Sequence, residues 1–172
     1  MKFRFQQVTA LGVYEGRLRE VVLRMKRPPG ELLSLAMGEL LAERLRERVS
    51  QEPVDWVAAM PMHWRRRWVR TVNPPELLAE RVSRRLGLTT RRVLYFRRNI
   101  QQQSTLAPSL RQRNVRGALG VFPGYDLADA RVLLLDDILT TGATANEAAR
   151  CLKRAGAKSV QVAVVARGVG ID

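Results

Sequence analysis

The chain has 172 residues, 46% of them hydrophobic, which is enough for one globular domain with its own core. No run approaches the roughly 18 consecutive apolar residues of a membrane span, and the N-terminus lacks the apolar core of a secretory signal, so we expect a cytoplasmic protein. The formal net charge of +14 favours contact with phosphate groups on a nucleotide, a nucleic acid or a sugar.

The positive charge is concentrated in the middle of the chain. Residues 64–116 hold 14 basic and 2 acidic residues, whereas residues 1–63 hold 10 and 8 and residues 117–172 hold 6 and 6. The basic residues of the middle segment are arginines, whose planar guanidinium groups suit phosphate oxygens. The alternative interpretation is a basic surface that contacts only solvent.

The first half of the chain predicts three helices and a strand. Apolar residues at helical spacing over 18–25 predict a helix that stops at Pro28-Pro29-Gly30, and a second helix runs from about Glu31 to Val49. The short apolar run 54–62 suits a buried strand and a loop. Asn73 followed by two prolines predicts the start of the third helix, which Gly87 ends.

The second half predicts an alternation of strands and helices. Residues 91–96 suit a core strand, and the polar, aperiodic segment 97–117 suits a long loop of functional importance. Strand 131–136, helix 145–155 and strand 159–166 then form a βαβ unit, which implies a parallel sheet with a right-handed crossover. The fold class is therefore α/β.

The sequence DDILTTGAT follows the apolar run 132–135 at the carboxyl end of its strand, where open α/β sheets place ligands. Gly142 permits a tight turn, and the amides of residues 141–144 would face an anion at the start of a helix. Asp136 and Asp137 can accept hydrogen bonds from sugar hydroxyls or contact hydrated magnesium. The pattern as a whole suits a phosphorylated ribose.

These thirteen residues, 132–144, resemble the signature with which type I phosphoribosyltransferases bind phosphoribosyl pyrophosphate (PRPP). The resemblance implies that Asp136 and Asp137 hold the ribose hydroxyls. It implies Mg²⁺ as a cofactor that arrives with PRPP and reaches the two acids through water. The residues implied for the 5′-phosphate are Thr140, Thr141, Gly142, Ala143 and Thr144. Hypoxanthine-guanine transferases carry an aspartate where this chain has Thr140, which argues against 6-oxopurine salvage.

Most of the chain also resembles the ComF proteins, which are phosphoribosyltransferase-like proteins linked to DNA uptake. The resemblance is carried by YEGRLREVVLRMK (14–26), MPMHWRRRWVRTVNPPELLA (60–79), QSTLAPSLRQRNVRGAL (103–119) and the PRPP motif with its following strand. Typical members begin with a four-cysteine zinc ribbon that these 172 residues do not contain, so we expect either a short variant or a chain whose start was trimmed. Its single cysteine and single histidine, Cys151 and His63, predict no zinc site.

The resemblance implies a division into an N-terminal helical segment, 1–52, packed on a phosphoribosyltransferase-like core, 53–172. The loop 97–117 corresponds to a hood over the active site, and we expect Arg113 to act with Asp136 and Asp137 in catalysis. Contacts with pyrophosphate or DNA are expected from Pro61, Met62, His63, Arg65, Arg66, Arg67, Arg70, Arg111 and Arg116.

The sequence leaves three functions open. The first is Mg²⁺-dependent transfer of ribosyl phosphate from PRPP, or binding of PRPP or ribose 5-phosphate without turnover. The second is a non-catalytic module that holds single-stranded DNA, with Trp64, Trp68, Tyr95 and Phe96 as stacking residues and competence helicase or recombination proteins as partners. The third is nucleobase salvage. A homo-oligomer is compatible with each of them.

Overall fold

The computed structural model describes residues 3–62, 72–101 and 106–168. The helices are α1 (Gly16–Met25), α2 (Glu31–Gln51), α3 (Pro74–Leu86), α4 (Pro108–Val115) and α5 (Ala143–Arg154). The strands are β1 (Gln7–Val13), β2 (Trp56–Ala59), β3 (Thr89–Thr90), β4 (Leu94–Phe96), β5 (Leu119–Val121), β6 (Arg131–Leu139) and β7 (Ser159–Arg167).

Five strands form a parallel sheet in the order β1-β7-β6-β2-β3, and β4 pairs with β5 in a separate antiparallel sheet. Strands β6 and β7, with α5 between them, are the parallel pair that the sequence predicts. The α/β fold class is thus confirmed. The order also places β6 in the centre of the sheet, with paired strands on both sides.

Both faces of the central strands are buried, which explains the apolar run 132–135 of β6 and the largely apolar sequence of β7, in which Gln161 is the buried polar exception. Side chains alternate between the two faces along β6: Leu134 packs with α5, whereas Leu133 and Leu135 pack with residues of α1, α2 and α3. Asp136 and Asp137, which follow Leu135, therefore lie in the carboxyl-terminal half of a strand that packs against a hydrophobic core on each face.

The ends of α3 follow the sequence prediction closely. Gly87 ends the helix in the left-handed conformation with φ +66°, where a residue without Cβ is favoured. Asn73 occupies the N-terminal cap position, but its side chain makes no capping hydrogen bond. In the first turn of α3, the carboxylate of Glu76 forms an ion pair with Arg92 at 2.5 Å.

Several elements differ from the sequence prediction, among them the short strands β3 and β5, which were not predicted. The structure adds β1, an edge strand whose side chains are mostly half-buried and therefore show no continuous apolar run. The predicted loop 97–117 contains α4, which is polar enough to lack a helical apolar period. The predicted core strand 91–96 is divided, because Arg91 N–H donates to Val57 of β2 whereas residues 94–96 pair with β5 outside the main sheet.

Helices α1 and α2 contribute Val22, Leu41 and Leu45 to the same core as Leu133 of β6. The division of the chain at residue 52 stays a prediction. Of the helices within the described ranges, none has the length and apolar character needed to cross a membrane.

Candidate functional site

The thirteen-residue motif folds as the end of β6, a turn and the start of α5. Gly142 is the cap residue of α5 and adopts φ +70°, and its carbonyl accepts a hydrogen bond from Asn146 N–H at 2.8 Å. The hydroxyl of Thr141 accepts from Ala143 N–H at 3.4 Å. The first turn of α5 thus opens at the carboxyl end of a central strand, where the helix dipole favours an anion.

Gly142 is required here by space as well as by conformation. A Cβ built at this position would lie 2.7 Å from Cε1 of Phe3, whose ring stacks on Phe5 at a centroid distance of 4.6 Å. The N-terminal segment before β1 therefore covers one side of the turn. Arg4 N–H extends this contact by donating to the side chain of Asn146 at 2.7 Å.

Asp136 faces a small cavity of about 30 Å³ that is lined by the motif and by Arg111 of α4. Burial, reinforced by the charge of neighbouring Asp137, raises the pKa of Asp136 well above its ordinary value. Its Oδ1 accepts a hydrogen bond from Asp137 N–H at 2.8 Å. Asp136 thus lines the same cavity as the turn residues whose N–H and O–H groups could donate hydrogen bonds to a phosphate.

Asp137 is held by a different group. Its Oδ2 lies 2.8 Å from Nζ of Lys26, the residue that caps the C-terminus of α1. Asp137 is 8% exposed, so this ion pair is shielded from most solvent. Lys26 was not among the site residues predicted from the sequence, although it ends one of the stretches that carry the ComF resemblance.

Arg111 connects α4 to the motif. Its Nη1 donates to the hydroxyl of Thr140 at 3.1 Å, and its Nε donates to the carbonyl of Leu106 at 3.1 Å. Arg113 and Arg116 are exposed, and the carbonyl of Arg116 accepts a hydrogen bond from Arg98 at 2.9 Å. Of the three arginines predicted in this segment, Arg111 is the one that reaches the turn.

The segment that carries Arg111 is attached to α5 by Glu147. Oε1 of this buried residue accepts from Gly117 N–H at 2.7 Å and from Arg150 Nη2 at 2.6 Å, and Oε2 accepts from Arg150 Nε at 2.8 Å. Burial alone would raise the pKa of Glu147, but these hydrogen bonds outweigh it and lower the pKa. Glu147 was not predicted as a site residue, because a glutamate in a helix usually faces solvent.

A larger cavity of about 410 Å³ adjoins the start of α5. It shares Ala143 with the small cavity and extends along one side of the helix. Arginine side chains at 4, 116 and 150 contribute positive charge to its lining, and Glu147 contributes negative charge. Space for a ligand larger than the small cavity is therefore available next to the turn.

The segment after β2 lies at the same edge of the sheet. Met60 N–H donates to the carbonyl of Leu135 at 2.8 Å, so Pro61 and Met62 follow β2 beside the acidic pair, and both are half-buried. The other predicted contacts of this segment lie outside the described residues: His63, Arg65, Arg66, Arg67 and Arg70, with the aromatic residues Trp64 and Trp68.

Tyr95 and Phe96 belong to β4, which pairs with β5 in the small antiparallel sheet and not with the main sheet, although Phe96 packs against the core cluster that contains Leu94 and Leu119. Tyr95 contacts Phe122 with a ring-centroid distance of 4.7 Å, and Phe122 is 42% exposed. Exposed Arg97 and Arg98 follow directly. An aromatic pair beside arginines thus faces outward from this sheet.

The donor set at the motif consists of two carboxylates, one of which is paired with Lys26. Within the described part of the chain, no group of three or more His, Cys, Asp or Glu residues is gathered. Carboxylate oxygens suit Mg²⁺, which keeps several waters and is commonly shared with substrate phosphates. The residues present therefore fit a Mg²⁺ that is held mainly by a ligand's oxygens and by water.

Residues 76–169 match the family described as phosphoribosyl transferase domain. The DNA utilization protein YhgH of Salmonella typhimurium is 27% identical over 92% of this chain and 70% of its own length. Competence protein F of Haemophilus influenzae is 29% identical over 78% of this chain and 60% of its length. A crystal structure of adenine phosphoribosyltransferase, 13% identical, superposes with a TM-score of 0.52 over 85% of this chain and 74% of that one.

Proposed function

Given that the chain belongs to the phosphoribosyl transferase domain family and that its resemblance to the ComF proteins is confirmed, we propose that it binds PRPP or ribose 5-phosphate at residues 132–144. The observation that carries the proposal is the cavity at the end of β6. There an acid, Asp136, and the N-terminal turn of α5 face the same space.

The residues that line this cavity include groups that suit both the phosphate and the hydroxyls of ribose 5-phosphate. The amides and hydroxyls of residues 140–144 offer donors at a helix N-terminus, as a phosphate dianion requires. Asp136 offers acceptor oxygens, as hydroxyl groups require. The cavity of about 30 Å³ is smaller than ribose 5-phosphate, and the hydrogen bond from Arg111 to Thr140 lies in its lining. Ribose 5-phosphate would therefore displace this hydrogen bond, and the guanidinium group could then bind the phosphate.

Mg²⁺ would neutralise pyrophosphate charge when it is bound with PRPP, and Asp136 would contact it through water. In a transfer reaction the bond between C1′ and the pyrophosphate oxygen breaks, a bond from C1′ to the acceptor forms, and pyrophosphate leaves. The backbone after β2 lies where it could orient the leaving group. Arg65, Arg66, Arg67 and Arg70 are proposed to stabilise its charge, and Arg113 is proposed to act from the hood.

Calorimetry with PRPP and Mg²⁺ tests the binding proposal, with Asp136→Asn as the variant and Asp126→Asn as the matched control. Asp126 is exposed and accepts a hydrogen bond from Ala128 N–H in its own turn. We expect Asp136→Asn to weaken binding about tenfold or more, since hydrogen bonds to a charged group are worth about 1.5–3 kcal/mol. The control should bind like the wild type. Absence of binding heat in the wild type would refute the proposal.

Transfer and binding without turnover are separated by measuring PRPP-dependent release of pyrophosphate with a panel of nucleobases. Release with one base identifies nucleobase salvage and its acceptor. No release, together with tight PRPP binding, identifies a binding protein. Thr140 in place of the aspartate of hypoxanthine-guanine transferases leads us to expect no release with 6-oxopurines.

A second candidate function is the binding of single-stranded DNA, favoured by the arrangement of the arginines. On α3 and after it, Arg81, Arg85, Arg84 and Arg92 form ion pairs with glutamates. Exposed Arg97 and Arg98 instead follow β4, which carries Tyr95, and exposed Arg113 and Arg116 lie on α4 and at its end. The guanidinium of Arg98 joins the two segments by donating to the carbonyls of Asn114 and Arg116. Aromatic faces combined with arginines bind single strands without sequence preference.

Fluorescence anisotropy with a labelled oligonucleotide at two salt concentrations tests this candidate. Phe122→Ala and Arg113→Gln should weaken binding, and the affinity should fall as salt rises because phosphate contacts release counterions. Arg84→Gln is the matched control, since Arg84 pairs with Glu80 at 3.0 Å on α3. Equal losses in Arg113→Gln and Arg84→Gln would exclude a localised DNA surface. Competence helicase or recombination partners and self-association stay predictions.

A further inference from the structure

The N-terminal helix α1 reaches the acidic pair through one side chain. Lys26 follows Met25 at the C-terminus of α1, and its ammonium group lies 2.8 Å from Oδ2 of Asp137. The two side chains are 22% and 11% exposed, so the contact lies deeper than an ordinary surface ion pair. A helix outside the motif thus supplies a positive charge to the motif.

The backbone that carries Lys26 is fixed on both sides. Val22 and Met25 of α1 are fully buried, and the turn after Lys26 is closed by Gly30. A Cβ at Gly30 would collide with the carbonyls of Met25, Arg27 and Arg24, so the chain there is packed against the end of α1. Ser34 completes the turn by donating from N and Oγ to the Gly30 carbonyl at 2.9 and 2.8 Å.

The ion pair between Lys26 and Asp137 changes the charge of the site that is proposed to bind an anion. A sugar phosphate is an anion, yet the site that is proposed to hold it carries two adjoining carboxylates. Carboxylates in a poorly solvated site repel an anion unless a cation offsets their charge. The ammonium of Lys26 offsets the charge of Asp137 directly, and its attraction also extends to Asp136.

We propose that Lys26 is a positioning residue of the ribose phosphate site, holding the Asp137 carboxylate in place and neutralising its charge so that the cavity beside Asp136 accepts an anionic sugar. The inference rests on the proposed function. It goes beyond the motif in assigning a role in ligand binding to α1, which contributes no residue to the cavity lining.

The experiment measures binding of ribose 5-phosphate by calorimetry, first without divalent metal and then with Mg²⁺, to wild type and four variants. Lys26→Met removes the charge and the donor, Lys26→Gln removes the charge and keeps an N–H donor on a side chain one atom shorter, and Lys26→Arg retains both charge and donor. Lys158→Met is the control, since it removes one exposed positive charge at the start of β7, at the opposite end of the sheet. Circular dichroism establishes that each variant is folded.

Without metal, we expect Lys26→Met and Lys26→Gln to bind ribose 5-phosphate about tenfold more weakly, Lys26→Arg within about threefold of wild type, and the control unchanged. Mg²⁺ should recover part of the loss, because it supplies positive charge to the same carboxylates. Affinity of Lys26→Gln within twofold of wild type overturns the inference, as does equal weakening in Lys26→Arg. A wild type that binds neither ribose 5-phosphate nor PRPP instead refutes the proposed function, and the inference with it.

Discussion

Replacing Glu147 by glutamine tests how the segment with Arg111 is attached to the motif helix. The change keeps the shape of the side chain but removes its charge, and its new amide donor must face either Gly117 N–H or the Arg150 guanidinium. At least one of three hydrogen bonds then becomes a contact between donors. Charge-assisted hydrogen bonds contribute about 1.5–3 kcal/mol each, so we expect the free energy of unfolding to fall by about 2–4 kcal/mol at pH 7.

The loss should depend on pH in a defined direction. Because the hydrogen bonds lower the pKa of Glu147 below its ordinary 4.5, the folded protein releases this proton more readily than the unfolded chain does. The stabilisation is therefore complete above pH 4.5 and disappears as pH falls through the lower, folded-state pKa. The difference between wild type and Glu147→Gln should shrink accordingly in acid.

Urea unfolding at pH 7 and at pH 3.5 measures both effects. The matched control is Glu80→Gln, because Glu80 forms an exposed i,i+4 pair with Arg84 and should change the free energy of unfolding by less than about 0.5 kcal/mol. Hydrogen exchange at the Gly117 amide should accelerate in Glu147→Gln only. Equal small effects in the two variants, or a loss in Glu147→Gln that is no smaller at pH 3.5 than at pH 7, would refute the reasoning.

Further predictions concern three residues of the motif: Asp136, Asp137 and Gly142. Asp136→Asn should raise the free energy of unfolding by about 1 kcal/mol at pH 7, because burial raises the pKa of Asp136 and its ionisation costs stability as pH rises above 3.8. Asp137→Asn should instead lower the free energy of unfolding by about 1–3 kcal/mol, because the substitution leaves Lys26 without its carboxylate partner. If urea titrations show effects of the same sign for the two variants, the opposite roles of Asp136 and Asp137 are contradicted. Gly142→Ala should cost at least about 1–2 kcal/mol, since φ is +70° and the new Cβ meets Phe3. Pairing it with Phe3→Ala should recover the steric part, and a thermal scan that shows no loss for Gly142→Ala would refute the claim.

The inner strands of the main sheet, β2, β6 and β7, were predictable because they are largely buried on both faces. Such strands appear in the sequence as largely apolar runs, and β6, α5 and β7 match their predicted order with small shifts at the ends. Strand β1 and helix α4 were not predictable in this way. The one is a half-buried edge strand and the other a polar helix, so neither carries the periodic burial on which such predictions depend.

The sequence by itself determined the α/β class and the motif 132–144, because strand, turn and helix there are set by neighbouring residues. Only the tertiary structure decided which distant groups meet the motif. Lys26 reaches Asp137 from α1, Arg111 reaches Thr140 from α4, and Glu147 of α5 binds the backbone of Gly117. These contacts join segments that are far apart along the chain, and their formation depends on helix packing, which no local pattern of residue types specifies.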